Sequence, residues 1–171
     1  MSWERIACTR GTDSASWPAS RSSTASCLVD GVDWYHFGGQ GEFRHDDLWC
    51  FSLETMKWRL VHTGTTSVGC NTNGAVASSA GPVPPKRCKA SLVHNGGKLY
   101  TFGGWALGKG DAKLGDMWFF VLHAGTWTEI KQRGTIPANR SAHSATVVGE
   151  SMILFGGIGA NKFGETFVFS F

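Results

Sequence analysis

At 171 residues the chain is long enough for a domain with its own core, and a 12% aromatic share with 23 glycines suits a turn-rich all-β protein. A net charge of +3 is too small to argue for nucleic acid or an anionic membrane. No apolar run of about 18 residues predicts a membrane span, and none at the N-terminus predicts a secretory signal. The cysteines, Cys8, Cys27, Cys50, Cys70 and Cys88, are odd in number and lack a C-x-x-C pair. They read as reduced thiols, which places the chain inside the cell, in the cytoplasm ahead of the nucleus, rather than as a disulfide frame or a zinc site.

Taken in order, the chain opens with Trp3-Glu4-Arg5-Ile6, a short strand pattern standing alone within a linker that runs from 1 to 15. Residues 16–61 then form a first unit. Pro18-x-x-Arg21 precedes two apolar runs, Cys27 to Val29 and Trp34 to Phe37, separated by Asp30-Gly31 and followed by Gly38-Gly39. Asp-Gly between apolar runs demands a tight β-turn, because its central positions need φ above zero. After a short loop, Asp47-Leu48-Trp49-Cys50-Phe51 sets aromatics at +2 and +4 from an acid, the period-two pattern of a strand with one strongly apolar face. Trp58 begins a fourth strand through Val61.

Residues 62–81, rich in Thr, Ser, Gly and Asn, read as a low-complexity insertion and the least ordered segment. The unit then repeats over 82–130: Pro84-x-x-Arg87, a hairpin around Asn95-Gly96-Gly97, Phe102-Gly103-Gly104, Asp116-x-Trp118 and Trp127. A third copy, truncated before its tryptophan, occupies 131–171 with Pro137-x-x-Arg140, His143-Ser144-Ala145, Phe155-Gly156-Gly157 and Glu165-x-Phe167. From Arg21 to Gly38, Arg87 to Gly103 and Arg140 to Gly156 the separation is 17, 16 and 16 positions, and such constancy predicts structural equivalence.

The arginine, the His-Ser-Ala start, the hairpin, Phe-Gly-Gly, the acid, the alternating aromatics and the tryptophan together resemble the kelch repeat. The resemblance covers residues 16 to 171 and implies three four-stranded antiparallel blades of a partial β-propeller, the third incomplete. His-Ser-Ala is intact only in the third unit, where His143 is expected to orient backbone. A propeller usually needs about four to eight blades to close. The chain is therefore expected to be a fragment of a larger propeller, to pair with another copy into six blades, or to have its end faces covered by a partner. Trp3 to Ile6 looks like the fourth strand of a unit standing alone, and within this chain it could complete the third unit only if the ring closed on three blades.

The resemblance further implies a non-enzymatic interaction module, a scaffold or adaptor with a protein partner and no cofactor; the alternative is part of a propeller enzyme whose active site lies on blades absent from this chain. Loops 40–46, 105–115 and 158–164 vary between units and should share one rim, with Arg44, His45, Trp105, Lys109 and Lys162 exposed for partner contact. Arg21, Arg87 and Arg140 are expected to satisfy carbonyls or an acid at each blade edge, or else to line a binding face.

Catalytic signals are weak. Gly103 and Gly108-Lys109 approach P-loop spacing, yet Gly110 replaces the magnesium-binding hydroxyl and no helix pattern follows. His45-Asp46-Asp47 is a dense polar cluster without a second ligand group, so no metal site is expected. His36 lies in a strand and reads as packed. No nucleophile elbow is present, and Asn139-Arg140-Ser141 fits the glycosylation sequon only by including the repeat arginine.

Overall fold

The computed structural model describes residues 2–6, 17–65, 81–106 and 112–171. Among these there is no helix, and the strands form three antiparallel sheets. In the first, β1 (Ala25–Val29), β2 (Asp33–Phe37), β3 (Leu48–Ser52) and β4 (Lys57–His62) lie side by side in chain order. The second holds β5 (Arg87–Cys88), β6 (Ser91–Asn95), β7 (Lys98–Ala106), β8 (Lys113–Val121) and β9 (Thr126–Glu129), with β5 and β6 following each other along one edge of β7. The third has β10 (Ser144–Val148), β11 (Ser151–Phe155) and β12 (Thr166–Ser170). These sheets are three blades of a partial propeller, and blade 3 lacks an outer strand among the described residues.

The hairpins differ in detail from the expected two-residue turns. Gly96 and Gly97, both at positive φ, join β6 to β7 in two residues. Blade 1 uses three, because Asp30 and Gly31 at positive φ are followed by Val32, whose N–H returns to the Val29 carbonyl. In blade 3 only Gly149 of the pair 149–150 takes positive φ.

Period-two alternation decides which face of each blade meets which neighbour. Tyr35, Phe37, Ala25, Val29, Leu48 and Cys50 of blade 1 pack against Leu92, Leu99, Trp118, Phe120 and Trp127 of blade 2. One blade on, Val93, Tyr100, Phe102 and Met117 meet Met152 and Leu154, with Phe167 and Phe169 packed at the margin. Each large apolar side chain buried this way stabilises by about 1.5–3 kcal/mol. Blade 2 is covered on both faces, whereas the outer blades are covered on one. Phe155 (54% exposed) and Val168 (65%) therefore stand on the open face of blade 3, and Leu28 and Trp34 on that of blade 1.

Residues 2–6 join no sheet, and Trp3 is wholly exposed. One expectation needs correction: the region 105–115 is less of a loop than expected. After a register shift at Gly103, pairing resumes with Gly104 opposite Leu114 and Trp105 opposite Lys113, which carries β7 through Ala106 and starts β8 at Lys113. Lys109 lies outside the described residues, as does most of the insertion, 66–80; His62 belongs to β4.

Candidate functional site

Each blade is pinned by the same arginine. Arg21, Arg87 and Arg140 donate through Nε to the carbonyl two residues back (Ala19, Pro85 and Ala138) and through Nη1 to the first glycine of the pair (Gly38, Gly103 and Gly156), at 2.9–3.1 Å. The remaining donors meet the acid that opens the third strand of the blade. Arg87 forks onto Asp116 at 2.9 and 2.7 Å, Arg21 onto Asp47 at 2.5 and 3.0 Å, and Arg140 reaches Glu165 with one bond of 3.0 Å. Trp49 and Trp118 donate their indole N–H to Asp47 and Asp116, both at 2.7 Å. Phe167 takes that place in blade 3 and has no donor to offer.

The joints between blades repeat as well. The second glycine of one blade donates to the arginine carbonyl of the next, Gly39 to Arg87 at 2.9 Å and Gly104 to Arg140 at 2.8 Å. In return Arg87 donates to the His45 carbonyl and Arg140 to that of Leu114. Lys89 donates to Ser23, and Ala142 to Lys89, through residues that all sit at φ of 55–56°. The first glycine permits this close approach: a Cβ at Gly38 would stand 2.5 Å from the Arg87 oxygen, and one at Gly103 2.6 Å from that of Arg140.

His143 bridges the second joint, its Nε2 lying 3.0 Å from Ser91 Oγ and its ring edge-on to Phe102. Burial, helped by the Arg140 charge, lowers its pKa to about 4. The unfolded chain therefore binds a proton below about pH 6.5 that the folded one refuses until about pH 4, so stability falls as pH drops through that window. We expect His143→Asn to remove about 2–3 kcal/mol of the loss between pH 7 and 4.5, read as the change in urea midpoint relative to the native chain. His36 is shifted the same way, to about 4, by burial and Arg21, and burial also lowers His45 and His62, so these three contribute in the same direction.

On the rim, the structure gathers some of the expected contact residues and separates others. Arg44 was expected to be exposed but is 4% exposed, because its guanidinium packs 4.5 Å from the centre of the Trp105 ring. Lys113 Nζ lies 3.8 Å and Lys89 Nζ 5.3 Å from that same ring, so three cations surround a half-buried indole. His45 is half-buried, with its pKa lowered by burial and by Arg21, and Lys162 is exposed.

Bridge pairing sets Arg44 opposite Gln40, Lys113 opposite Trp105 and Lys162 opposite Ile158. A cation thus occupies one equivalent position in every blade. Alignment on the glycine pairs hides Lys113, since the loops differ in length. Counting three residues back from Asp47, Asp116 and Glu165 finds all three.

Nothing in the described residues assembles catalytic chemistry. No group of three or more His, Cys, Asp or Glu side chains could hold a metal ion. Asp47 is taken by Arg21 and Trp49, and Asp46 accepts from the Thr65 amide and hydroxyl. Burial pushes the Cys27 thiol up to about 12 and Cys50 to about 11, so neither is a nucleophile at neutral pH. Gly103 lies within β7, and Gly108-Lys109 fall outside the described residues.

Comparison with known proteins agrees with this architecture. The KLHDC2/KLHL20/DRC7 Kelch-repeats domain matches residues 70–171. Human Kelch domain-containing protein 3 is 28% identical over 168 residues, 92% of this chain and 38% of that protein. The Drosophila melanogaster Leucine-zipper-like transcriptional regulator 1 homolog is 30% identical over 80% of this chain and 13% of its own length, and human Host cell factor 2 is 40% identical over 35% of this chain and 7% of its own. The chain thus spans well under half of each of these relatives. Together with the repeated arginine–acid clasp and the glycine joints, these matches show that the chain belongs to the kelch-repeat family.

Proposed function

We propose that the chain is a non-enzymatic protein-interaction module, a scaffold or adaptor element of an intracellular protein, and that its rim takes an acidic, extended segment of a partner. The observation that carries this reading is the cation at one equivalent position in every blade, Arg44, Lys113 and Lys162, with Trp105 among the first two. Neither Lys113 nor Lys162 takes part in the arginine–acid clasp, and Lys162 is exposed. An indole flanked by cations offers an apolar surface beside charge, the combination that anchors interfaces. The relatives' printed names, a Rho GTPase-activating protein among them, point to unlike roles, which fits a module that different proteins use for binding.

A fluorescent oligoglutamate peptide containing one tyrosine is a suitable probe. Binding should weaken with added salt, and K113E/K162E should lower affinity at least about tenfold, since charge pairs at a rim steer and select partners. Equal affinity of native chain and double variant at low salt would contradict the assignment.

A further inference from the structure

The joint between blades 1 and 2 gathers charge that the scaffold does not require. Two residues ahead of β1, β6 and β10, Ser23, Lys89 and Ala142 hold the same backbone, with φ of 55–56°, and are linked in a chain by N–H to carbonyl bonds of 2.9 and 2.8 Å. Serine and alanine fill that place as well as lysine does, so the exposed Lys89 ammonium serves something other than the joint. It lies 5.3 Å from the centre of the Trp105 ring, where Lys113 Nζ stands at 3.8 Å and the Arg44 guanidinium at 4.5 Å. No two of these three cations can therefore be more than about 10 Å apart, one Debye length at ordinary salt, and their mutual repulsion is little screened. Arg44 is nearly buried, so water does little to weaken its field.

The acids of the neighbouring strands do not offset this charge. Asp47 is engaged with Arg21, Asp116 with Arg87 and Asp46 with Thr65, and among the described residues neither Lys89 nor Lys113 meets a carboxylate. The groups are also held in place. Trp105 is paired with Cys88 on one side and with Lys113 on the other, and the buried Cys88 thiol donates across the joint to Oε1 of Gln40 at 3.7 Å. The Gln40 N–H2 has no acceptor among the described residues, which adds two donors on the blade 1 side. One joint further on the frame recurs without these features, with Ala142 in the place of Lys89 and Ile158 in that of Trp105.

We infer that this joint binds a phosphorylated serine or threonine of the partner's acidic segment, the phosphate seated between Lys89 and Lys113 against the Trp105 indole. This rests on the acidic-segment reading of the rim above and names the ligand at one of its positions. A carboxylate brings one charge and two oxygens. A phosphate monoester brings about 1.5–2 negative charges and three acceptor oxygens, enough for both ammonium groups and the Gln40 amide. The cluster is one joint wide, which suits a single phosphorylated residue, and a net charge of +3 disfavours nucleic acid or an anionic membrane as the source of the phosphate.

Fluorescence anisotropy on the full chain tests this with peptides of one glutamate-flanked sequence whose central residue is phosphoserine, serine or glutamate. The phosphoserine peptide should bind at least about tenfold more tightly than the glutamate peptide. Lys89→Met keeps the stem of an exposed side chain and should fold with an unchanged thermal midpoint, yet it should bring the two affinities within about threefold of each other. Lys89→Arg should retain the preference. Equal affinity of the native chain for the phosphoserine and glutamate peptides would overturn the inference while leaving the rim reading in place. Failure of every acidic peptide to bind, oligoglutamate included, would overturn both. A preference that survives Lys89→Met would overturn the placement of the phosphate. Displacement of the phosphoserine peptide by an RNA oligonucleotide, or by phosphatidylcholine vesicles carrying a phosphatidylinositol phosphate, at lower phosphate concentration than the unlabelled peptide needs would overturn the choice of a peptide as ligand.

Discussion

Replacing Arg87 with methionine is expected to lower the unfolding free energy by about 3–5 kcal/mol, the cost of breaking a buried charge pair from one side. The Arg87 side chain is shielded from solvent. Among the described residues Asp116 would keep the Trp118 indole, while the Gly103 carbonyl would lose its donor in the blade interior and the Pro85 carbonyl its donor nearer the surface. Methionine retains the length and much of the apolar stem, so the loss reports on bonding rather than on a cavity. The same change at Arg140 should cost less, because Glu165 is held by a single bond and is largely exposed. Arg21→Met should cost least, since blade 1 offers that edge to water. Against a total stability of about 5–15 kcal/mol, the Arg87 variant would be only marginally folded. Urea denaturation of the three variants checks the order, and a loss below about 1 kcal/mol at Arg87 would show that the clasp is dispensable.

Alanine at Gly103 and at Gly156 should give unequal results although both glycines have nearly the same backbone. Their φ values are 60° and 70°, so each alanine meets a left-handed conformation that costs about 1–2 kcal/mol. At Gly103 the new methyl would also stand 2.6 Å from the Arg140 oxygen and 3.1 Å from that of Leu114, forcing blades 2 and 3 apart where Gly104 and Arg140 are hydrogen-bonded. At Gly156 it would touch only the Phe163 oxygen at 3.5 Å. Measured by urea denaturation, Gly103→Ala should cost at least about 2 kcal/mol more than Gly156→Ala. Equal costs would mean that the joint yields without strain.

Much of this fold is legible in the chain because its signals are local and recur. Phe37, Phe102 and Phe155 each end a strand before two glycines, and the acid followed by alternating aromatics gives β3, β8 and β12 by period two alone. What escapes such reading depends on neighbours. Trp3-Glu4-Arg5-Ile6 has the pattern of an outer strand, yet a pattern does not provide the edge it needs. Arg87-Cys88 becomes β5 only because β7 extends past its glycines to meet it, which no propensity of the pair foretells. Arg44 looks like a surface residue until Trp105, more than sixty positions away in the chain, is brought over its guanidinium. The rim cations share a position measured from the acid rather than from the glycines, and loops of unequal length conceal it.

Native-state hydrogen exchange of the Gly39 and Gly104 amides bears most directly on whether these units are copies joined blade to blade through backbone. If they are, both amides open only with global unfolding and exchange within about tenfold of Leu99 in the central strand β7. Exchange at either glycine a thousandfold or more faster than at Leu99, at a rate typical of an exposed turn, would contradict it.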